Sequence, residues 1–205
     1  NTYAAGVMFD AFAHGVDVSI QALTKYVGGH SDLLLGSVSV RDASAFETMG
    51  PIYRQLGLAV SPDDCSLALR GLQTLALRLE QLEKSTLQVA RWLSDHPKIQ
   101  AVFHPALTSC PGHEIWKRDF TGSTSVFSIL FKDDVSPTQV EAIINSLDLF
   151  HIGLSWGGVN SLAVVYPNIE RPGQDYAGRL VRLNIGLEHT DDLIFDLKNA
   201  LQTNF

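Results

Sequence analysis

From residue 99 onward, short β-prone stretches alternate with helix-like ones, and this alternation constrains the fold more than any other feature of the chain. Ile99 to His104, Ser125 to Phe131, Phe150 to Leu154, Ser161 to Tyr166 and Leu180 to Leu187 read as strands. His113 to Phe120, Ser136 to Ser146 and Asp191 to Leu201 read as helices between and after them. Ser136-Pro137 and Thr190-Asp191-Asp192 are helix starts, combining a capping oxygen, a proline preset for the first turn, or carboxylates facing the positive helix end. Elements in this order bury their apolar faces as a compact α/β sandwich.

Upstream, Leu75, Leu79, Leu82, Leu87, Ala90 and Leu93 recur mostly three to four residues apart, which predicts the longest helix of the chain over Leu72 to Ser94. No strict seven-residue repeat holds, so these leucines belong to a core rather than a coiled-coil seam. His96-Pro97 ends the helix, and a domain boundary is expected near residue 95, dividing 1–95 from 96–205. Ser61-Pro62-Asp63-Asp64 opens a preceding helix that should run to about Arg70-Gly71, and Asp42 to Leu56 reads as another, capped by Asp42 or Ser44. Val7 to Ala13 suggests a short helix stopped by His14-Gly15, and Val16 to Ala22 and Leu33 to Val40 suggest buried strands.

Composition narrows the function. With 45% hydrophobic and 18% charged residues among 205, the chain is that of a soluble globular protein with a sizeable core. A net charge of −7 and the lack of a basic cluster argue against a nucleic-acid surface. No apolar run approaches the roughly 18–20 residues that span a bilayer. Cys65 and Cys110 are too few for a disulfide framework, and a reducing cytoplasm is the natural expectation. The seven histidines contain no His-x-x-x-His pair, so no metal site is expected, and neither G-x-G-x-x-G nor a P-loop occurs.

Three features carry candidate chemistry. Lys25 stands between two strand-like runs, beside Gly28 and Gly29. Held there and partly desolvated, its amine would be available for nucleophilic or proton-transfer work; the alternative is a lysine snorkelling at a strand end. Arg182 lies among Val181, Leu183 and Ile185 and requires an anionic partner, either a substrate carboxylate or a structural Asp or Glu. Gly-Leu-Ser-Trp-Gly-Gly at 153–158 is either a tight turn with an anchoring tryptophan or a ligand wall of backbone N–H groups and an aromatic ring; it is not a G-x-S-x-G elbow.

Taken in order, Asn-Thr-Tyr at the start, Ser-Ile-Gln-Ala-Leu-Thr-Lys-Tyr with Gly-His-Ser-Asp, Trp-Lys-Arg-Asp-Phe-Thr-Gly at 116–122, Ser-Trp-Gly-Gly, and Val-Arg-Leu-Asn-Ile-Gly-Leu-Glu at 181–188 resemble the Cys/Met-metabolism family of pyridoxal-phosphate enzymes, nearest to its bacterial β-lyase branch. The resemblance runs over essentially the whole chain and corresponds to the C-terminal half or so of a typical member. It implies the end of a large aspartate-aminotransferase-like (fold type I) domain in 1–95, followed by a small α/β substrate-binding domain in 96–205. Lys25 would be the Schiff-base lysine for pyridoxal phosphate and Thr24 a phosphate ligand. Arg182 would grip the substrate α-carboxylate, and Ser155 with Trp156 would line that pocket. Ala22 departs from the serine many relatives carry three residues before the lysine, a pattern associated with the β-lyase branch. The implied reaction cleaves cystathionine to homocysteine, pyruvate and ammonia in methionine biosynthesis, within a homotetramer; γ-synthase, γ-lyase and broader cysteine-conjugate lyase activities remain alternatives, as does a cofactor-free folding or assembly fragment. The family's ring-pairing aspartate would immediately precede Asn1, and its glycine-containing phosphate loop and stacking tyrosine lie further upstream. On that basis these 205 residues alone are not expected to be a competent enzyme.

Overall fold

The computed structural model describes residues 1–167, 169 and 176–204. After a run of turns, β1 (Val18–Ala22) pairs antiparallel with β2 (Gly36–Val40), and the intervening turn carries Lys25. Three helices follow: α1 (Ala43–Gln55), α2 (Pro62–Gln73) and α3 (Leu75–Ser94). The remainder comprises β3 (Ile99–Phe103), α4 (His113–Asp119), β4 (Val126–Phe131), α5 (Pro137–Asn145), β5 (His151–Ile152), β6 (Leu162–Tyr166), β7 (Leu180–Asn184) and α6 (Thr190–Thr203). Its five strands form one mixed sheet in the order β3-β4-β7-β6-β5, antiparallel throughout except for β5 and β6.

Local chemistry explains the helix starts. Asp42 accepts a hydrogen bond from the Ala45 N–H and Ser61 accepts from the Asp64 N–H. Ser136 and Gln139 form a reciprocal capping box ahead of α5. Each cap satisfies donors that the first helical turn leaves unpaired.

Two apolar clusters meet along α3. Its second half contributes Val89, Ala90 and Leu93 to a core with Phe127, Ile129, Val181, Leu183 and Leu197. Its first half contributes Leu75, Leu79 and Leu82 to a smaller cluster with Ala4, Met8, Tyr26 and Val27. On β7, Val181 and Leu183 are fully buried in the larger core, whereas Arg182 is half-buried and pairs in register with Ser128 and Val164. The two-residue strand period therefore puts Arg182 and Asn184 on the opposite face from that core.

Several expectations change. The predicted helix at Val7 to Ala13 is a succession of turns, with Ala5 and Gly6 at positive φ. The strands predicted from Val16 and Leu33 begin later, at Val18 and Gly36, and none of their residues is buried; Ile20 and Val38 are open to solvent. Their apolar composition signalled extended backbone, not its surroundings. The long helix starts at Leu75 rather than Leu72, because α2 continues past Gly71 to Gln73 and breaks at Thr74. Of the strand expected over Phe150 to Leu154 only His151–Ile152 pairs, and β7 ends at Asn184, short of Leu187. Beyond Asn184 the chain bends against the 157–160 turn. A Cβ on Gly186 would lie 2.2 Å from the Val159 carbonyl oxygen, a separation only glycine tolerates.

Candidate functional site

Lys25, Thr24, Ser155, Trp156 and Arg182 were all singled out on sequence, and folding brings Lys25, Ser155, Trp156 and Arg182 together from three separate segments. The Lys25 ammonium donates to the Ser155 hydroxyl at 2.9 Å and stands 5.4 Å from the centre of the Trp156 ring. Burial, and then repulsion from Arg182, pull its pKa below the ordinary lysine value. That direction enlarges the neutral fraction, which is the form able to attack a carbonyl or take a proton.

Arg182 does not meet an acid among the described residues. Its Nη2 donates to the Leu154 carbonyl at 2.6 Å and, more weakly, to the Ser155 carbonyl at 3.4 Å, and its guanidinium lies 5.7 Å from the Tyr166 ring centre. The anionic partner demanded by the sequence is thus replaced in the chain itself by backbone carbonyls. The guanidinium fork has five N–H donors, so these two contacts leave capacity for a carboxylate.

Thr24 is turned toward its own hairpin. Its hydroxyl donates to the Leu35 carbonyl at 3.2 Å and accepts from the Leu35 N–H at 2.9 Å. The same carbonyl also accepts from the Thr24 N–H, so the hydroxyl proton can be redirected to a phosphate oxygen without orphaning the carbonyl.

The turn carrying Lys25 is clamped from below by a residue that sequence reasoning passed over. Arg78 is buried on α3 and donates to the carbonyls of Tyr26 (2.6 Å), Val27 (3.2 Å) and Gly71 (2.7 Å) and to the Thr74 hydroxyl (3.0 Å). The approach is close enough that a Cβ on Gly29 would fall 2.0 Å from Arg78 Nη1, and one on Gly71 would fall 2.2 Å from the Val27 carbonyl. A signal was available: Arg78 falls at helical spacing within the Leu75, Leu79, Leu82 stripe, where a charge requires partners. Tyr26, Ser125 and Asn184 were also missed as supports; only Asn184 carried a cue, as a polar residue two positions from Arg182 on the same strand face.

A family model described as Cys/Met metabolism PLP-dependent enzyme matches residues 1–202. The chain belongs to that family. The cofactor of this family is pyridoxal phosphate, and a half-buried lysine of lowered basicity beside a redirectable threonine hydroxyl fits such a group. The cystathionine β-lyase MetC of Escherichia coli (strain K12) is 44% identical over 203 residues, covering 96% of this chain and 51% of that protein. The human cystathionine γ-lyase is 35% identical over 210 residues, covering 98% of the chain and 51% of that protein. An L-alanine/L-glutamate racemase of Wolbachia pipientis wMel is 37% identical over 207 residues, with 98% and 51% covered. Among solved structures, a cystathionine γ-synthase from Xanthomonas oryzae pv. oryzae superposes with a TM-score of 0.91 at 30% identity, covering 100% of this chain and 54% of that one. The chain therefore spans about half the length of the relatives it matches. Among the described residues no three His, Cys, Asp or Glu side chains gather as a metal site requires, and no helix is long and apolar enough to cross a membrane.

Proposed function

We propose that these residues serve a pyridoxal-phosphate-dependent carbon–sulfur lyase that cleaves cystathionine and water to homocysteine, pyruvate and ammonia. The observation that carries this reading is the Lys25 amine, lowered in basicity and hydrogen-bonded to Ser155 on the turn from which Arg182 is hung. The names of the relatives supply the substrate class: cystathionine β-lyases of Escherichia coli and Haemophilus influenzae are 44% and 41% identical to this chain.

In this reading Lys25 would hold the cofactor by its aldehyde group and Thr24 would turn its hydroxyl to the cofactor phosphate. When bound, pyridoxal phosphate takes up the electron pair left at the substrate Cα. Arg182 holds the substrate carboxylate in its fork and so fixes which Cα bond is presented for cleavage. The Lys25 amine would take the Cα proton; Ser155 accepts from the amine and holds its direction. Trp156 walls the amine and limits water. The Cβ–S bond then breaks with its electrons leaving on sulfur, which departs as the homocysteine thiolate. We further propose the division into 1–95, the end of the cofactor-binding domain, and 96–205, a substrate-binding α/β domain, within a homotetramer. Exposed apolar residues such as Phe46, Leu56 and Leu58 support a covering partner surface.

The test uses the full-length protein. An absorption band from the bound cofactor that borohydride abolishes, with the reduced adduct on the Lys25 peptide and none in Lys25→Ala, is expected; no adduct on Lys25 would overturn the reading. A γ-elimination is the second reading, favoured by the γ-synthase structure and the human γ-lyase among the relatives. Supplied with cystathionine, the protein should release pyruvate; release of 2-oxobutyrate would establish the γ reading instead.

A further inference from the structure

Asn184 is 1% exposed and every polar atom of its side chain is engaged. Its Oδ1 accepts from the Gly157 N–H at 2.9 Å and from the Ser125 hydroxyl at 2.8 Å, and its Nδ2 donates to the Asn160 carbonyl at 3.1 Å. The amide orientation is unambiguous, because a backbone N–H can only donate and a carbonyl can only accept.

Those bonds reach both halves of the site. Ser125 continues the chain to Tyr26, the residue after Lys25: the Ser125 N–H donates to the Tyr26 hydroxyl at 3.1 Å, and that hydroxyl lies 3.0 Å from Ser125 Oγ. Since Ser125 Oγ spends its proton on Asn184, the Tyr26 hydroxyl donates to it. Gly157 lies two residues beyond Ser155, has a φ of +79°, and sits so close to Lys25 that an added Cβ would be 3.2 Å from the lysine Cβ. A closed ring results. It runs from Lys25 through Tyr26, Ser125, Asn184, Gly157 and Trp156 to Ser155, and the 2.9 Å bond back to Lys25 completes it. The Tyr26 and Trp156 rings contact each other across it at 5.4 Å.

We propose that Asn184 is a positioning residue, whose side-chain oxygen holds the Lys25 turn and the Ser155–Trp156 turn at their working separation. The proposal rests on the reading of Lys25 as the cofactor-binding lysine. The amine's surroundings follow from it: Trp156 stands 5.4 Å from the Lys25 amine, and Arg182, the charged group whose repulsion reaches the amine, is itself hung from the carbonyls of Leu154 and Ser155 in the same turn. Releasing Gly157 frees that turn to move, which rehydrates the amine and weakens the repulsion, and both changes raise its pKa.

The test measures the Lys25 titration in full-length protein freed of cofactor, by competitive acetic anhydride labelling across pH with mass spectrometry of the Lys25 peptide. Asn184→Leu, which removes the acceptor, should move the titration upward by about 0.5–1 unit, the size of effect that altered solvation and one nearby charge produce. A folded Asn184→Leu protein with an unmoved Lys25 titration would overturn the proposal; a purely structural role lowers the melting temperature without moving the titration. If Asn184→Leu does not fold, Ser125→Ala removes the Oγ through which Asn184 reaches Tyr26, leaving only the Ser125 N–H on the Tyr26 hydroxyl, and should shift the titration in the same direction; no shift there overturns the proposal equally. Borohydride reduction of cofactor-loaded wild-type protein is read separately. A missing adduct together with the expected Asn184→Leu shift removes the functional reading and leaves the positioning role standing.

Discussion

The guanidinium of Arg182 has two tasks that a lysine cannot combine: it bonds the turn carbonyls of Leu154 and Ser155 and still presents a planar fork. Arg182→Lys keeps the charge but not the fork. Under the proposed lyase reading, kcat/KM for cystathionine should fall by roughly 10- to 100-fold, through KM as well as kcat, which corresponds to losing one charge-assisted hydrogen bond. Steady-state kinetics on the full-length protein checks this, and a change confined to kcat would contradict it. His104 is a second residue-scale case. Its ring is fully buried, its Nδ1 accepts from the Ala106 N–H, and burial pushes its pKa down to about 4. The neutral folded ring competes with an unfolded ring that protonates near pH 6.5, so stability is fully present above that value. It drains away as pH falls toward 4, by about 3 kcal/mol in all. Urea midpoints measured between pH 7 and 4 should show a component of this slope that His104→Gln lacks.

At the scale of elements, the Lys25 turn meets α3 through the apolar packing of Tyr26 and Val27 on Leu75, Leu79 and Leu82 and through the hydrogen bonds of Arg78. Arg78→Leu would leave the carbonyls of Tyr26 and Val27 without the donor they now share, in a part of the protein that water does not easily reach, while the Gly71 carbonyl keeps the Thr74 N–H and hydroxyl. A loss of about 2–4 kcal/mol is expected from urea unfolding, since unsatisfied buried acceptors cost more than the net worth of their bonds. Gly71→Ala should act in the same direction, because its Cβ meets backbone rather than a movable side chain. Ser136→Ala is the contrasting case. It removes a capping box from an exposed helix start and should cost only about 1 kcal/mol, with the fold and the site unaffected.

For the molecule as a whole, the two ends of the chain differ in how they dispose of apolar surface. From β3 onward the sheet and helices close around a continuous core. The β1–β2 hairpin and α1 do not: α1 has no buried residue, and Phe46, Ile52, Leu56 and Leu58 are all more than half exposed. Patches of this kind bind other apolar surfaces. The 205-residue chain purified by itself should therefore enhance the fluorescence of an apolar dye such as ANS and sediment with a concentration-dependent mass. A dye-silent, monodisperse monomer would contradict this.

What the sequence determined by itself was local. Cap chemistry placed the starts of α2 and α5, because a helix start at Ser61 or Ser136 depends on neighbours a few residues away; hydrophobic period located α3 and most of the sheet, whereas α6 starts behind His189 with no side-chain cap. The motifs around Lys25, Ser155, Trp156 and Arg182 identified the family. Tertiary structure decided what depended on partners far along the chain. The hairpin's strands read as buried because their residues are apolar, but nothing among the described residues covers Ile20 or Val38. Arg182 called for an acid and instead meets carbonyls 28 and 27 positions away in the chain. The lowered basicity of Lys25 arises from burial and from a charge on another strand, and Ser155, its hydrogen-bond partner, lies 130 residues downstream. Local sequence supplied the lysine; the tertiary packing of Ser155, Trp156 and Arg182 around it supplied its surroundings.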